Sequence, residues 1–167
     1  MRFIQLFCLT LFLSMNAFII CPATCQDVKV VKIDELISLL ENEDDTLSVI
    51  NFWATWCKPC VKELPCFYDI SRESKTPAVR VILVSLDFKR NLNTTLIPFL
   101  KKRGIGPETW LLDETDYDSW INRVDKDWTG SIPATIFINN RKGIRKFYEG
   151  EFDCLSLNKE ISTLLNH

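Results

Sequence analysis

The sequence predicts a layered α/β domain. Two observations carry this. Short apolar, β-branched runs alternate along the chain with segments whose apolar residues recur at helical spacing, the pattern of a sheet covered by helices. Toward the C-terminus two strand-like runs flank Asn139-Asn140-Arg141-Lys142-Gly143, which reads as a hairpin turn. At 167 residues the chain has room for one domain of the usual ~100–200 residues.

The elements follow in order. Val28 to Ile33 is a short strand, after which Asp34 is expected to cap a helix carrying Leu36, Ile37, Leu39 and Leu40. Glu41-Asn42-Glu43-Asp44-Asp45 is a solvated acidic turn. Leu47 to Trp53 is a buried strand, so Phe52 and Trp53 are expected in the core. A helix is predicted from Cys57 to about Ser71, kinked at Pro65, which lacks an amide donor. Val79 to Leu86 is the strongest strand and is predicted to be central. Thr94 to Arg103 is an amphipathic helix stopped by Gly104 and Gly106; the Gly104-Ile105-Gly106 run lacks the third glycine and the preceding strand of a dinucleotide loop. Trp110-Leu111-Leu112 is a strand, and Tyr117 to Trp128 a helix with Trp120, Ile121 and Val124 inward. Ala134 to Ile138 and Ile144 to Tyr148 form the hairpin, and Leu155 to Leu165 is a closing helix.

Residues 1–25 read as a leader, leaving a domain of residues 26–167. Arg2 precedes a charge-free apolar run from Phe3 to Ile20, followed by Cys21-Pro22-Ala23-Thr24-Cys25. A cleaved secretory signal is the preferred reading. Retention of the run as a membrane anchor, or lipidation at Cys21 or Cys25, are the alternatives. Each places the domain outside the cytoplasm. Asn93-Thr94-Thr95 fits a glycosylation acceptor, which matters only in a eukaryotic secretory route.

Composition excludes much. Twenty basic residues against 22 acidic ones leave no surplus to neutralise phosphates, so nucleic acid is not an expected partner. The only histidine is His167, which removes Ser–His–Asp and Cys–His catalysis and histidine metal sites. Seven cysteines remain as the reactive groups. Cys8, Cys21 and Cys25 belong to the leader. Cys57, Cys60, Cys66 and Cys154 allow three full pairings, among which the sequence does not choose.

The chemistry concentrates at Trp56-Cys57-Lys58-Pro59-Cys60. A buried strand ends at Trp53 and a helix opens at Cys57, so a thiolate there meets unpaired amides and the positive end of the helix. Both lower its pKa. Lys58 adds a solvated positive charge, and Pro59 is tolerated in the first turn. Two intervening residues allow the sulfurs to form a disulfide. Cys57 is expected to attack a substrate disulfide and Cys60 to resolve the mixed disulfide, with no metal or organic cofactor. A zinc site built from four cysteines calls for a second close pair, and Cys66 and Cys154 lie far apart in the sequence.

The run Asn51-Phe52-Trp53-Ala54-Thr55-Trp56-Cys57-Lys58-Pro59-Cys60-Val61-Lys62-Glu63-Leu64-Pro65 resembles the active-site segment of thioredoxin-fold proteins, and most of all the exported TlpA/ResA-like thiol–disulfide oxidoreductases. Gly130-Ser131-Ile132-Pro133-Ala134-Thr135 is similar to the cis-proline strand of that family. The resemblance implies a thioredoxin fold: a central mixed β-sheet flanked by helices, with an N-terminal extension and an inserted βα element. It implies that Pro133 is cis and faces the active disulfide, that Ile132 offers backbone groups to a bound substrate strand, and that Trp56 flanks the nucleophile. Glu63 matches a glutamate beside the active site of ResA-like members, where it tunes a thiol or relays a proton; its alternative is a solvated helix residue.

Two departures matter. Cytoplasmic-type thioredoxins carry an aspartate at the position of Asn51, which cannot act as a base. Cys66 is extra to the motif; a buried thiol is the preferred reading, with a third redox cysteine or a bond to Cys154 as alternatives. The expectation is a monomeric, exported oxidoreductase of the periplasm or outer membrane face, acting chiefly as a reductase of protein disulfides. By analogy its substrates include apocytochromes and its electrons come from a membrane thiol donor. The competing classes are a peroxiredoxin-like peroxidase, which calls for a single peroxidatic cysteine without a resolving partner two residues on, and a thiol-based metal carrier.

Overall fold

A computed structural model describes residues 27–73, 78–104 and 106–166; the leader assigned to residues 1–25 lies outside them. Six strands form one sheet: β1 (Val28–Val31), β2 (Leu47–Trp53), β3 (Val79–Ser85), β4 (Glu108–Leu112), β5 (Ala134–Asn139) and β6 (Ile144–Glu149), in the spatial order β1-β4-β3-β2-β5-β6. The first four in that order run parallel, while β5 is antiparallel to β2 and β6. The sheet is mixed because β5 and β6 are joined by the short turn at 140–142, whereas parallel neighbours need helical crossovers. The helices are α1 (Ile33–Leu40), α2 (Lys58–Glu73), α3 (Ile97–Arg103), α4 (Tyr117–Val124) and α5 (Cys154–Leu165). β1–α1 is an N-terminal extension, and β4–α4 is a βα unit inserted ahead of the β5–β6 hairpin. This is the thioredoxin fold.

Side-chain alternation sorts the core onto the two sheet faces. Val49 and Trp53 of β2, Val81 and Leu83 of β3 and Phe137 of β5 pack with Leu64, Phe67, Leu157 and Ile161 of α2 and α5. Ile50, Phe52, Ile82, Val84 and Ile136 point the other way, toward Leu36, Leu40, Trp120 and Val124 of α1 and α4. Every residue of β2 is buried. A central strand with both faces covered gives the following loop a rigid mount.

Several boundaries differ from the sequence reading, each for a local reason. Lys32, not Asp34, occupies the N-cap of α1. Its amide is satisfied by Glu35 Oε2 at 3.1 Å, and the Ile33 amide by Glu114 Oε1 at 3.1 Å, so no cap is required of Asp34. The helix predicted from Thr94 is α-helical only from Ile97, preceded by a 3₁₀ turn at Lys89–Asn91 and a π turn at Leu92–Leu96. Pro98 cannot donate to the turn before it, and the wider turn absorbs the missing bond. α4 stops at Val124, and Trp128 lies beyond it. There the Asp125 carboxylate accepts from the Asp127 amide at 3.1 Å, an Asx turn that competes with helix. Trp128 is buried all the same, its ring 4.6 Å from that of Phe52 and its Nε1–H donated to Ser131 O at 2.8 Å. α2 begins at Lys58 and continues through Pro65.

Candidate active site

Cys57 sits one residue ahead of α2 and acts as its cap. Its carbonyl accepts from the Val61 amide at 3.0 Å, and its Sγ accepts from the Cys60 amide at 3.3 Å. A sulfur in the place usually taken by a Ser or Asp oxygen receives an amide proton and the positive helix end together. The two cysteines are joined as a disulfide. Cys60 is fully buried and Cys57 nearly so, whereas Trp56 beside them is 62% exposed. Lys58 and Pro59 are exposed.

The opposite wall comes from the segment entering β5. The Ile132–Pro133 peptide is cis, and the Ile132 carbonyl lies 3.7 Å from Cys57 Sγ. Once the disulfide opens, a Cys57 thiol is in position to donate to that oxygen. The Pro133 carbonyl accepts from the Gly150 amide at 2.8 Å, tying this segment to the end of β6. The structure therefore brings Trp56, Cys57, Lys58, Pro59, Cys60, Ile132 and Pro133 to one end of the sheet.

Glu63 lies beneath, one turn beyond Cys60 on α2. It is 1% exposed, so it is not a solvated helix residue. Oε1 accepts from Asn51 Nδ2 at 2.7 Å and Oε2 from the Phe152 amide at 2.7 Å. Burial pushes its pKa up to about 7, against these two hydrogen bonds and with help from the nearby Glu151 charge. Asn51 also donates to Thr135 Oγ1 at 3.1 Å, while its own Oδ1 is buried with no partner among the described residues. The position that carries an aspartate in cytoplasmic thioredoxins thus holds a neutral donor, and the titratable carboxyl has moved from the strand to the helix.

Two features escaped sequence reading. Asp87, just past β3, is buried; its carboxylate accepts from the Thr55 amide at 2.9 Å, from Thr55 Oγ1 at 2.6 Å and from Ser85 Oγ at 2.8 Å. It clamps the Ala54–Trp56 turn that delivers Cys57. The only sequence signal is an acidic residue directly after the central strand. The second is the choice among the readings of Cys66, which is buried but is not the free thiol preferred from the sequence. It is bonded to Cys154, with the Cα atoms 5.0 Å apart, because the second half of α2 passes the first residue of α5. Among the described residues no three His, Cys, Asp or Glu side chains converge as a metal site.

The profile of the AhpC/TSA family matches residues 23–147. The chain belongs to the AhpC/TSA family. Within this AhpC/TSA group it is similar to the thiol-disulfide oxidoreductase ResA of Oceanobacillus iheyensis, 49% identical over 39 residues, which cover 23% of this chain and 20% of that protein. The ResA of Halalkalibacterium halodurans is 28% identical over 101 residues, covering 60% of this chain and 52% of the relative. The matches thus span between a fifth and about half of these relatives' lengths. Among solved structures, a thioredoxin-related protein from Neisseria meningitidis serogroup B superposes with a TM-score of 0.63 at 23% identity, covering 77% of this chain and 91% of that one. The resemblance to TlpA/ResA-like proteins drawn from the motifs stands, and so does the fold. No helix among the described residues is long and apolar enough to cross a membrane.

Proposed function

We propose that this chain is a thiol–disulfide oxidoreductase acting on protein disulfides outside the cytoplasm. The observation that carries the reading is the sulfur of Cys57 capping α2, facing the Ile132 carbonyl and bonded to a buried Cys60. In the reduced enzyme the Cys57 thiolate attacks one sulfur of a substrate disulfide. That bond breaks, a mixed disulfide forms, and the other substrate sulfur leaves as a thiolate and takes up a proton. Cys60 then loses its proton and attacks Cys57 Sγ. The second substrate thiolate leaves, and the enzyme holds Cys57–Cys60 as a disulfide, two electrons having passed to the substrate. Glu63, titrating near neutrality one turn from Cys60, is the group suited to receive that proton. The exposed Trp56 and half-buried Ile132 flank the sulfur, where an extended substrate segment can pair with the Ile132 backbone. A dithiol donor outside the chain returns the enzyme to its reduced form.

Export is supported by the leader-like residues 1–25 and by the Cys66–Cys154 disulfide, since disulfides persist where thiols are not kept reduced. A peroxidase reading fits the site less well, because the resolving cysteine stands one helical turn from the nucleophile. The deciding experiment is equilibration of residues 26–167 with thiol buffers, read by tryptophan fluorescence, with Cys57→Ser to identify the reporting pair. A midpoint near the thioredoxin value of about −270 mV is expected and supports a reductase; one near about −120 mV makes the protein an oxidant. The absence of a Cys57-dependent transition, or metal bound by the purified chain, refutes the proposal.

A further inference from the structure

Residues 150–153, between β6 and α5, have no regular secondary structure, yet they touch both halves of the site. The Gly150 amide bonds the Pro133 carbonyl at 2.8 Å, and the Phe152 amide bonds Glu63 Oε2 at 2.7 Å. Between them Glu151 forms an ion pair with Lys62. Next in the chain, Cys154 is joined to Cys66. Three positions of α2 (62, 63 and 66) therefore face positions 151 and 152 of this short strap and Cys154, the first residue of α5. The ion pair is solvated and contributes little. The amide bond is a single hydrogen bond. The third rung is covalent. On its other side the strap is anchored by the Phe152 ring, edge-on to Phe137 at 5.8 Å and to Tyr148 at 5.4 Å. Those contacts place the ring against the sheet, and the disulfide is the covalent tie from the end of the strap to α2.

We propose that Cys66–Cys154 is a positioning disulfide for the redox site, holding residues 150–153 against α2 so that the Phe152 amide stays on the Glu63 carboxyl. Its bearing on catalysis rests on the reading of Cys57–Cys60 as the exchanging pair with Glu63 as its proton acceptor. The chemistry is direct. An amide donor favours the ionised carboxyl, while the burial and the Glu151 charge that the same strap supplies favour the neutral one, so freeing the strap displaces the pH at which Glu63 titrates. The remaining groups facing Glu63 do not replace it. The strap supplies the Glu151 charge, itself paired with Lys62 of α2. β2 supplies neutral Asn51, with Thr135 of β5 behind it.

The test uses the full oxidised chain and needs no substrate. In a Cys66→Ala/Cys154→Ala variant, the Glu63 carboxyl is followed by ¹³C NMR against pH, its signal assigned by its loss in Glu63→Gln. Amide exchange is read in parallel. The expected result is a Glu63 midpoint displaced from that of wild type and Phe152 amide exchange faster by about tenfold or more. A Glu63 midpoint or a Phe152 exchange rate that stays at its wild-type value overturns the proposal. Should that variant not fold, a Cys57→Ala/Cys60→Ala chain is titrated before and after dithiothreitol opens Cys66–Cys154. The midpoint is expected to shift on reduction and return on reoxidation, and an unmoved midpoint again overturns the proposal. That chain has no exchanging pair, so the result stands whether or not the oxidoreductase reading does.

Discussion

Glu63→Gln isolates one buried charge in this protein. In the folded chain the carboxyl titrates at about 7 against an ordinary value of 4.5, a difference worth about 3 kcal/mol at 1.36 kcal/mol per pH unit. The sign follows from proton binding. Between pH 4.5 and 7 the folded state keeps a proton that the unfolded chain has released, so stability is highest below pH 4.5 and falls until the folded group has ionised. Glutamine stays neutral throughout. One of its ends presents an NH₂ where the carboxyl accepted, and the partnerless Oδ1 of Asn51 can receive that proton if the Asn51 amide turns over. Urea unfolding of the oxidised wild type and variant at half-unit steps from pH 4 to pH 9 is the assay. The difference in unfolding free energy is expected to move by about 3 kcal/mol in favour of the variant between pH 4.5 and 8, and then level off. All other titrating groups are common to both chains and cancel in the difference. Parallel curves refute the buried-carboxyl argument.

Other outcomes are equally concrete. Cys60→Ser is expected to accumulate a covalent mixed disulfide through Cys57 when offered a disulfide-containing protein, seen as a reductant-sensitive mass increase; capture that survives Cys57→Ser contradicts the assigned order of attack. Asp87→Ala strands the Thr55 amide and the Thr55 and Ser85 hydroxyls, and a loss of about 3 kcal/mol is expected in denaturant melts. Gly106→Ala places a Cβ 2.3 Å from the Tyr68 ring, an overpacking expected to cost about 1–3 kcal/mol; an unchanged melting temperature shows that the ring yields freely. Breaking Cys66–Cys154 by substitution frees a long loop and is expected to lower stability by about 2–5 kcal/mol in the same melts.

Much of this was legible in the order of residues. β2, β3 and the β5–β6 hairpin announce themselves because each is a run of β-branched and aromatic residues with turn chemistry at its ends. The Cys57–Cys60 pair is legible because it joins a strand end to a helix start, and Pro133 through the resemblance of its segment to the cis-proline strand of thioredoxin-fold proteins. What did not show is what depends on distance through space. Glu63 reads equally well as a surface residue of α2 until Asn51 and Phe152 close over it from different parts of the chain. Asp87 looks like any turn acid until its carboxylate reaches Thr55. Cys66 and Cys154 become partners only through the packing of α2 beside α5. The missed boundaries at Asp34, Thr94 and Trp128 share another cause: a proline and side-chain acceptors, acting over two to four residues except for Glu114, which reaches the Ile33 amide from a distant part of the chain, overrode the apolar periodicity.

The bridge between α2 and α5 also sets how the molecule bears load. Cys66–Cys154 encloses β3, α3, β4, α4, β5 and β6 in a ring, while β2, which pairs with β3 on one side and β5 on the other, stays outside it. Pulled by its two ends, the chain can pay out only the segments before Cys66 and after Cys154. The 88 residue steps inside the ring, roughly 300 Å of extended chain at ~3.4 Å per residue, remain out of reach. Force can draw β2 from its slot and open the middle of the sheet, yet the ring stays closed around the vacated place. Breaking one sulfur–sulfur bond turns that hidden length into slack.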